Sequence, residues 1–551
     1  MPIKDHLNNK NYLEKLPNIA LIPWHLDNEI THPYPFCGKR EIFCGPKLQN
    51  KDTVTRKYIR TSGTHFDIDE VLSQLNENDQ KIDLICSILE AGNAICFPKN
   101  LSKLNCPKLA YIGDTFHIMN PISTIINYLK KERIEHILVG GQPAHLHFFY
   151  EAGIKHAAFA PRIKAKFETV NNKKPGLTYI GKRWKSSHLR KSRMVQFLEK
   201  ELPKNNVPYN YYTRLPTPSW RKVLTRSKMV AVSSLNGQVT PQIYNCLSAG
   251  ALCFADEISS QTFIYQFLKP GVHFITWRNN EDLLNKIIYY YNHPTEADVI
   301  AKAGKLQAEK NYPTSESMAR IVTEFVFENN IDPRLLPIND NRCQEKRIET
   351  QEYFDARVRL YENIQELHRI HESLTLISLT EKNLNPSVDL ADLPRLNITH
   401  AFTSNISKNE ANLYFQRVGV NHQVNTAFLN KVQKTNSYDI GILEKSENLT
   451  DWKFLTKSIS KLLKSNSLLW VLGKLTLVER EILEKEGFKH FTLHMNPVLF
   501  KIKKLTRKIC LQFWKLGLYP LPYLTLKPSM EMVPNLNVFL RGWQSYFPFL
   551  Y

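Results

Sequence analysis

The sequence predicts an α/β fold in which two lobes built on parallel sheets are followed by a third, smaller α/β domain. From about residue 105 onward, short β-branched or aromatic runs alternate with amphipathic stretches, a pattern typical of parallel-sheet α/β units. The 551 residues exceed what one hydrophobic core usually serves, so several domains are expected. No internal repeat of about 20 to 50 residues is present, which argues against solenoids and propellers.

The two lobes are predicted from six short apolar strands. The strand candidates are residues 109–112, 136–139, 177–180, 229–232, 251–254 and 273–276. Amphipathic stretches at residues 121–133 and 281–291 are predicted helices. A polar segment at residues 171–176 marks the boundary between the lobes. The predicted units are an N-terminal region over residues 1–104 that belongs partly to the first lobe, a first lobe over 105–172 and a second lobe over 173–340.

A connecting helix and a third α/β unit are predicted after the lobes. Apolar residues within residues 345–371 recur at the spacing of one helix face, at Phe354, Val358, Tyr361, Ile364 and Leu367. The remaining candidate strands are residues 438–443, 467–471 and 491–493. The predicted units are a connecting helix over residues 341–380, a third domain over 381–500 and a tail over 501–551.

Composition argues against a secreted, membrane-spanning or zinc-binding protein. The polar opening residues and the lack of a continuous apolar run of about 18 to 20 residues argue against a secretory signal and a membrane span. The nine cysteines are scattered and form no C-x-x-C pair, so we expect reduced thiols in the cytoplasm. A zinc site at Cys37 and Cys44 is disfavoured, because their spacing fits no structural zinc module.

The net charge of +21 is concentrated in residues 155–228, which hold 19 basic and three acidic residues. Such a segment is suited to nucleic acid, to anionic lipid or to a substrate diphosphate, and charge alone does not choose among them. A solvated basic surface is a further interpretation. No recognition motif accompanies the charge, so nucleic acid is not an expected partner.

Residues 233–250 form the most informative segment, placed between two predicted strands. Thr240 can cap a helix, Pro241 suits its first position and Gly250 suits its end. A helix N-terminus attracts anions, and Gly237 allows a ligand close to the backbone. This segment is therefore suited to bind a diphosphate, although an ordinary α/β turn has the same features.

This segment resembles the nucleotide-sugar-binding stretch of GT-B glycosyltransferases, in the spore-maturation-protein-like branch with a family 1-type C-terminal lobe. The flanking sequence has the same order of features. They are residues 111–117, 145–153, 178–181, 251–256, 267–271, 281–284, 301–304 and 311–314, with His188, Arg190, Arg193, Trp277, His293, Pro294 and Arg320. The resemblance covers about residues 105 to 325 and rests on this order.

The resemblance implies two Rossmann-like lobes and a glycosyltransferase of the metal-independent GT-B type, with no cofactor other than the nucleotide sugar as co-substrate. It implies transfer to a glycan, lipid-linked or protein acceptor in the synthesis of cell-surface polysaccharide or glycoconjugates. The family usually carries a glutamate for the donor ribose where this chain has Asn245, which lacks the charge. The alternative is therefore a noncatalytic protein that binds nucleotide sugar or glycan.

The candidate site residues follow from the resemblance and from the positions of the predicted strands. The predicted donor-binding residues are Gly181, Lys182, Arg183, Arg190, Asn236, Gly237, Thr240 and Asn245. The predicted acid/base pair is Asp114 and His117 after a strand of the first lobe, with His145 and His147 as alternates. One D-x-D triplet, Asp67 to Asp69, opens a predicted helix, where acidic residues suit the dipole better than a metal role. No metal site is predicted.

The C-terminal third gives weaker signals. Residues 438–443, 462–471, 481–488 and 496–501 resemble the later half of a class I methyltransferase fold, but residues 399–405 lack the glycine that a cofactor loop needs. We expect a degenerate domain that binds acceptor or is structural.

The last segment, residues 501–551, combines eight basic residues, one acidic residue and many aromatics. The aromatics include Phe513, Trp514, Tyr519, Trp543, Phe547 and Tyr551. This mixture suits an anionic membrane surface on the cytoplasmic side, or packing on the third domain.

Overall fold

The computed structural model is an α/β protein with three sheets of mainly parallel strands, which confirms the predicted fold class. It describes residues 14–23, 38–89, 96–113, 115, 121–141, 145–154, 156–160, 167–168, 170–181, 189–213, 215–234, 239–258, 264–331, 335, 354–368, 371, 373–380, 384–391, 393–432, 435–490 and 536–541. None of the helices within these ranges is both long enough and apolar enough to cross a membrane.

The first sheet has eight strands in the order β3-β4-β2-β1-β5-β6-β7-β8, all parallel except β3. Its strands are β1 (Ile19–Pro23), β2 (Arg40–Gly45), β3 (Lys51–Asp52), β4 (Arg56–Arg60), β5 (Leu84–Leu89), β6 (Lys108–Ile112), β7 (His136–Val139) and β8 (His156–Phe159). Its helices are α1 (Ile68–Leu72), α2 (Pro121–Lys131) and α3 (Leu146–Glu151). Five strands of this sheet therefore come from the region before residue 105.

The second sheet has five parallel strands in the order β10-β9-β11-β12-β13. Its strands are β9 (Lys174–Ile180), β10 (Tyr209–Tyr212), β11 (Ser227–Val232), β12 (Leu252–Asp256) and β13 (Ile275–Trp277). Its helices are α4 (Leu189–Lys204), α5 (Thr217–Arg226), α6 (Pro241–Ser248), α7 (Ile264–Phe267), α8 (Asn280–Asn292) and α9 (Pro294–Asn311). The last strand starts two residues later than predicted, because residues 269–273 form a turn with Gly271 at a φ of 76°.

Helix α10 (Ser315–Phe327) returns the chain to the first sheet. Its apolar face, with Met318, Ile321 and Phe325, lies in one hydrophobic cluster with Ile22 and Phe43 of β1 and β2. The core of the first lobe is therefore completed by a helix that follows the second lobe in sequence.

The third sheet has seven strands in the order β16-β15-β14-β17-β18-β20-β19, and β20 is antiparallel to both of its neighbours. Its strands are β14 (Leu374–Leu379), β15 (Leu396–Phe402), β16 (Val424–Phe428), β17 (Tyr438–Glu444), β18 (Leu463–Leu472), β19 (Phe488–His490) and β20 (Leu536–Arg541). Its helices are α12 (Asn385–Leu390), α13 (Asn405–Arg417), α14 (Leu449–Leu462) and α15 (Leu477–Lys485). The predicted strand at residues 491–493 lies outside the described residues.

Two assignments in this third unit differ from the sequence prediction. Residues 399–402, which we took as the position of a cofactor loop, lie inside β15. The segment after the first strand is instead residues 380–384, and it also has no glycine. Part of the predicted tail is a strand of this sheet, since β20 pairs with β18 from Leu536 to Arg541.

The predicted connecting helix is α11 (Phe354–His368), and it is shared between two cores. Phe354 and Val358 lie in the first-lobe cluster, whereas Tyr361, Ile364 and Leu367 lie in the cluster of the third sheet. The Asp355 carboxylate accepts the N–H groups of Ile122 and Ser123 at the start of α2. The helix is therefore a packed structural element and fixes the third unit to the first lobe.

Candidate functional site

A group of buried polar residues follows the carboxyl ends of two neighbouring strands in the second sheet. β11 leads into Ser233 and Ser234, and β12 ends at Asp256, which is 1% exposed. The Ser234 N–H donates to Asp256 Oδ2 at 2.8 Å, which fixes the start of the following loop to β12. Ligands of open α/β sheets bind at the carboxyl ends of the strands. This edge is therefore the candidate donor site.

Helix α6 begins at this edge with the predicted cap. Thr240 Oγ1 accepts from the Gln242 N–H at 3.0 Å, and the Thr240 carbonyl accepts from the Ile243 N–H at 3.1 Å. Pro241 has no N–H, so the first donors of the helix are already used. N–H donors for a ligand would come from the residues before Thr240, while the helix dipole still favours an anion. The predicted residues of that segment, which lie outside the described residues, are Asn236 and Gly237.

The other end of α6 is held by a half-buried lysine that our sequence analysis did not single out. Lys173 Nζ donates to the carbonyls of Ala249 at 2.8 Å and of Gly250 at 2.5 Å. Burial, with the nearby charge of Lys305, lowers the pKa of Lys173 to about 8. Gly250 has a φ of 67°, the left-handed conformation that commonly ends a helix.

Gly181 follows β9 at the same edge. Its N–H donates to the Tyr212 carbonyl at 3.0 Å, and Gln242 Nε2 donates to the Ile180 carbonyl at 2.5 Å, so β9 and α6 are directly joined. A Cβ at Gly181 would lie 3.2 Å from Lys191 Nζ. The Lys191 ammonium therefore lies beside Gly181 and is a candidate phosphate-binding group.

Lys191 was missed because residues 155–228 contain 19 basic residues and sequence gives no means of ranking them. Two of the basic residues that we predicted, Lys182 and Arg183, lie outside the described residues. Arg190 lies in the first turn of the same helix as Lys191, and its backbone alone is described.

Asn245 lies on α6 three residues after Gln242, so both side chains project from the same side of the helix. Asn245 is half-buried. Its backbone carbonyl accepts from the Ala249 N–H at 2.9 Å, which places it in the last turn of the helix. The amide that replaces the expected carboxylate is therefore one turn further from the strand ends than Gln242.

In the first lobe, the carboxyl ends of β6 and β7 come very close together. A Cβ at Gly140 would overlap the Tyr111 hydroxyl, and a Cβ at Gly141 would overlap the Gly113 carbonyl oxygen. The predicted acid/base pair follows β6 at this point, but Asp114 and His117 lie outside the described residues. The two glycines are what allows the segments after β6 and β7 to be neighbours.

The alternate histidines have different surroundings. His145 is buried, and its Nδ1 lies 2.6 Å from Thr115 Oγ1. Burial, with the neighbouring His147, lowers the pKa of His145 to about 3, so this ring is neutral at pH 7 and suits hydrogen bonding better than proton abstraction. His147 Nε2 lies 3.3 Å from Asp389 Oδ1 in the third unit. His147 thus belongs to a contact between units.

The D-x-D triplet has a structural role in the first lobe. Asp67 caps α1 by accepting the Asp69 N–H, and its other oxygen accepts from Asn100 at 2.5 Å. Asp69 pairs with Lys103 at 2.5 Å. In the part of the chain that is described, no three His, Cys, Asp or Glu side chains are grouped to hold a metal ion.

Comparison with known proteins places one family on the second lobe. Residues 164–323 match the family described as "Glycosyl transferase-like". This range includes all five strands of the second sheet, together with Gly181, Thr240 and Asn245. No curated protein matches this chain.

Several solved structures are weakly similar. HepE of Anabaena, solved with UDP-glucose, is 11% identical and has a TM-score of 0.37, with 56% of this chain and 98% of that chain covered. Sucrose-phosphate synthase from Thermosynechococcus elongatus is 10% identical with a TM-score of 0.38, covering 55% and 96%. TarM is 13% identical with a TM-score of 0.33, covering 43% and 53%, so the chain spans about half of TarM's length.

Proposed function

We propose that this protein is a glycosyltransferase that moves a sugar from a nucleotide-sugar donor to a glycan, lipid-linked or protein acceptor. The observation that carries the proposal is the match of residues 164–323 to the glycosyl transferase-like family. The buried polar edge after β9, β11 and β12 falls inside that match and supplies a place for the donor. The pathway we expect is the synthesis of cell-surface polysaccharide or glycoconjugates.

In this proposal the second lobe holds the leaving nucleotide. The bond between the anomeric carbon and the diphosphate oxygen breaks, and a bond from that carbon to an acceptor oxygen forms. The diphosphate takes the electron pair of the broken bond, so positive groups that face it lower the barrier. The dipole of α6 and the Lys191 ammonium beside Gly181 are such groups. We propose that they act without a bound metal or cofactor.

The first lobe would receive the acceptor and the proton that its hydroxyl loses. Asp114 stands between Gly113 and Thr115, directly after β6, and is the proposed base, with His117 as its partner. Buried His145, whose Nδ1 lies 2.6 Å from Thr115 Oγ1, would hold in place the residue that follows Asp114. These roles rest on the position of the strand ends.

A noncatalytic protein that binds nucleotide sugar or glycan is the second candidate, and Asn245 is the observation that favours it. A donor that binds without being consumed would identify this candidate. We propose that the protein works in the cytoplasm, either free or at the inner face of a membrane through residues 501–551, most of which lie outside the described residues.

The third unit is proposed to be a degenerate methyltransferase-like domain with a structural role. Buried side chains bond one another near its carboxyl edge, where a cofactor would bind. His400 is fully buried, with Nδ1 at 2.9 Å from Ser387 Oγ and Nε2 at 2.9 Å from the Thr380 carbonyl oxygen. Helix α12, the next helix after β14, is buried along its whole length.

The test is a panel of nucleotide sugars that starts with UDP-glucose. Purified protein is assayed for thermal stabilisation and for release of free nucleotide, beside Asp114→Asn and Thr240→Ser. One donor should stabilise the fold in all three proteins, and Asp114→Asn should abolish release while keeping binding. If no nucleotide sugar binds at millimolar concentration, the proposal fails. Binding without turnover in the wild type supports the second candidate.

A further inference from the structure

The third unit is fixed to the first lobe by a buried ion cluster. The Arg357 side chain on α11 is 0% exposed and lies 2.7 Å from Glu151 on α3 and 2.7 Å from Asp389 on α12. Its guanidinium also lies 4.7 Å from the centre of the Phe148 ring. Buried charges that lose a partner are costly, so this contact holds the two units in one arrangement.

The same third unit also reaches the second lobe, through a different ion pair. Arg395 Nη1 lies 2.8 Å from Glu257 Oε2, and the two side chains are 24% and 27% exposed. Arg395 belongs to the turn before β15 and has a φ of 60°, a conformation that costs an arginine free energy. Strain of this kind persists where the surrounding structure requires it, and here it accompanies a contact between units.

Glu257 lies at the carboxyl end of β12, next to the candidate donor site. It follows Asp256, the residue that accepts the Ser234 N–H just before residues 235–238, the segment that we call the donor loop. Its own N–H donates to the Trp277 carbonyl at the end of β13 at 2.9 Å. A displacement of Glu257 would therefore move the anchor of the donor loop and the neighbouring strand end together.

We propose that Arg395 is a positioning residue for the donor site. Through Glu257 it holds the carboxyl end of β12 against a third unit that Arg357 anchors to the first lobe. The position of Asp256, which accepts the Ser234 N–H after β11, is thereby set from outside the second lobe. The inference rests on the proposed function where it names the donor, but the contact itself can be tested without any ligand.

The experiment is a charge reversal in the full chain: Arg395→Glu, Glu257→Arg and the double variant. Hydrogen exchange of peptides covering residues 227–234 and 252–258 should speed up in each single variant and return toward the wild-type rate in the double variant. UDP-glucose binding should weaken about two- to fivefold in the single variants, the range for a partly exposed ion pair, and recover in the double variant. Recovery is the result that a merely local packing defect would not give.

Lys464→Ala is the matched control, because Lys464 pairs with Asp439 at 2.6 Å within the third unit and has no place in the contact with Glu257. Its exchange at residues 227–234 should equal that of the wild type. Unchanged exchange in both reversal variants overturns the positioning role. If exchange speeds up in the single variants and recovers in the double variant, but no protein binds a nucleotide sugar, the positioning role is supported and the proposed function is contradicted.

Discussion

Gly140 and Gly141 let the ends of β6 and β7 approach each other, and adding one methyl group at Gly141 tests this approach. The change Gly141→Ala places a methyl group on the Gly113 carbonyl, directly before Asp114. Because both partners are backbone, relief needs the two strand ends to separate, and we expect a loss of about 1 to 3 kcal/mol in the free energy of unfolding. Urea denaturation measures it.

Gly153→Ala is the comparison for this change. Its added Cβ would meet no atom within 4 Å, although its φ of 91° still disfavours alanine. We expect a cost of about 1 kcal/mol there. If Gly141→Ala proves as stable as the wild type, the close approach of β6 and β7 is wrong, and the placement of Asp114 loses its basis.

Replacing Asn245 tests whether this position contacts a weakly bound donor or contacts no donor. Asn245→Glu restores the carboxylate that the resemblance leads us to expect, on a half-buried position of α6. A hydrogen bond to a charged group is worth about 1 kcal/mol more than a neutral one, so nucleotide affinity should rise about fivefold. Calorimetric titration with UDP and with UDP-glucose measures it.

Gln242→Glu serves as the control on the same side of α6. Gln242 donates to the Ile180 carbonyl, and a carboxylate cannot donate, so this variant should bind nucleotide no better than the wild type. Equal affinities for Asn245→Glu and the wild type would show that position 245 does not contact the donor.

Helix α6 is the element on which the donor site depends, and its end at Lys173 gives a pH-dependent prediction. The pKa of Lys173 is lowered from 10.5 to about 8 in the folded protein by burial. Between these values the unfolded chain binds more protons, so this residue makes the free energy of unfolding rise as the pH increases. Urea unfolding at pH 7.5 and 9.5 should show the rise relative to Lys173→Met.

Lys174→Met is the control for that measurement, because Lys174 is the exposed neighbour at the start of β9. It should follow the wild type at both values of pH. A difference between wild type and Lys173→Met that stays constant with pH would mean that Lys173 titrates normally, and hence that it is not buried at the end of α6.

The elements that could be predicted from sequence are those with local signals. Helix α6 has a cap, a proline and a terminal glycine, and these residues determine its bounds wherever the helix packs. β10 was missed because its four residues are half-buried at the sheet edge and lack an apolar pattern. The runs at residues 19–23 and 84–89 are as apolar as the strands that we did predict, so β1 and β5 carried a readable signal.

The candidate site was less predictable, because its contacts join distant segments. Gly181 and Thr240 were reachable from local motifs, but the bond from Gln242 to Ile180 spans 62 positions. Packing of α4 next to β9 places Lys191, among many basic residues, beside Gly181. The spacing of residues in the sequence does not show this packing. Arg357 was not singled out from the sequence, since sequence does not show that two units enclose the connecting helix.

At the scale of the whole molecule, Arg357 links the first lobe to the third unit, and its loss should destabilise both. Burial alone would raise the pKa of Asp389, but the Arg357 charge beside it lowers that pKa well below the usual range. This part of the stability is therefore present above the unfolded pKa of about 4 and is lost as the pH falls below it.

The change Arg357→Met removes the guanidinium from the buried carboxylates of Glu151 and Asp389 and leaves the His147 ring as a neighbour of both. Removing one partner of a buried ion pair typically costs about 3 to 5 kcal/mol, so we expect a loss of that size at pH 7. The triple variant with Glu151→Gln and Asp389→Asn removes the charges together and should recover most of it, because no buried carboxylate is then left unpaired. Urea unfolding at pH 7 compares the three proteins. A single variant as stable as the wild type would mean that the other contacts of α11, its apolar packing and the Asp355 hydrogen bonds to α2, hold the third unit to the first lobe.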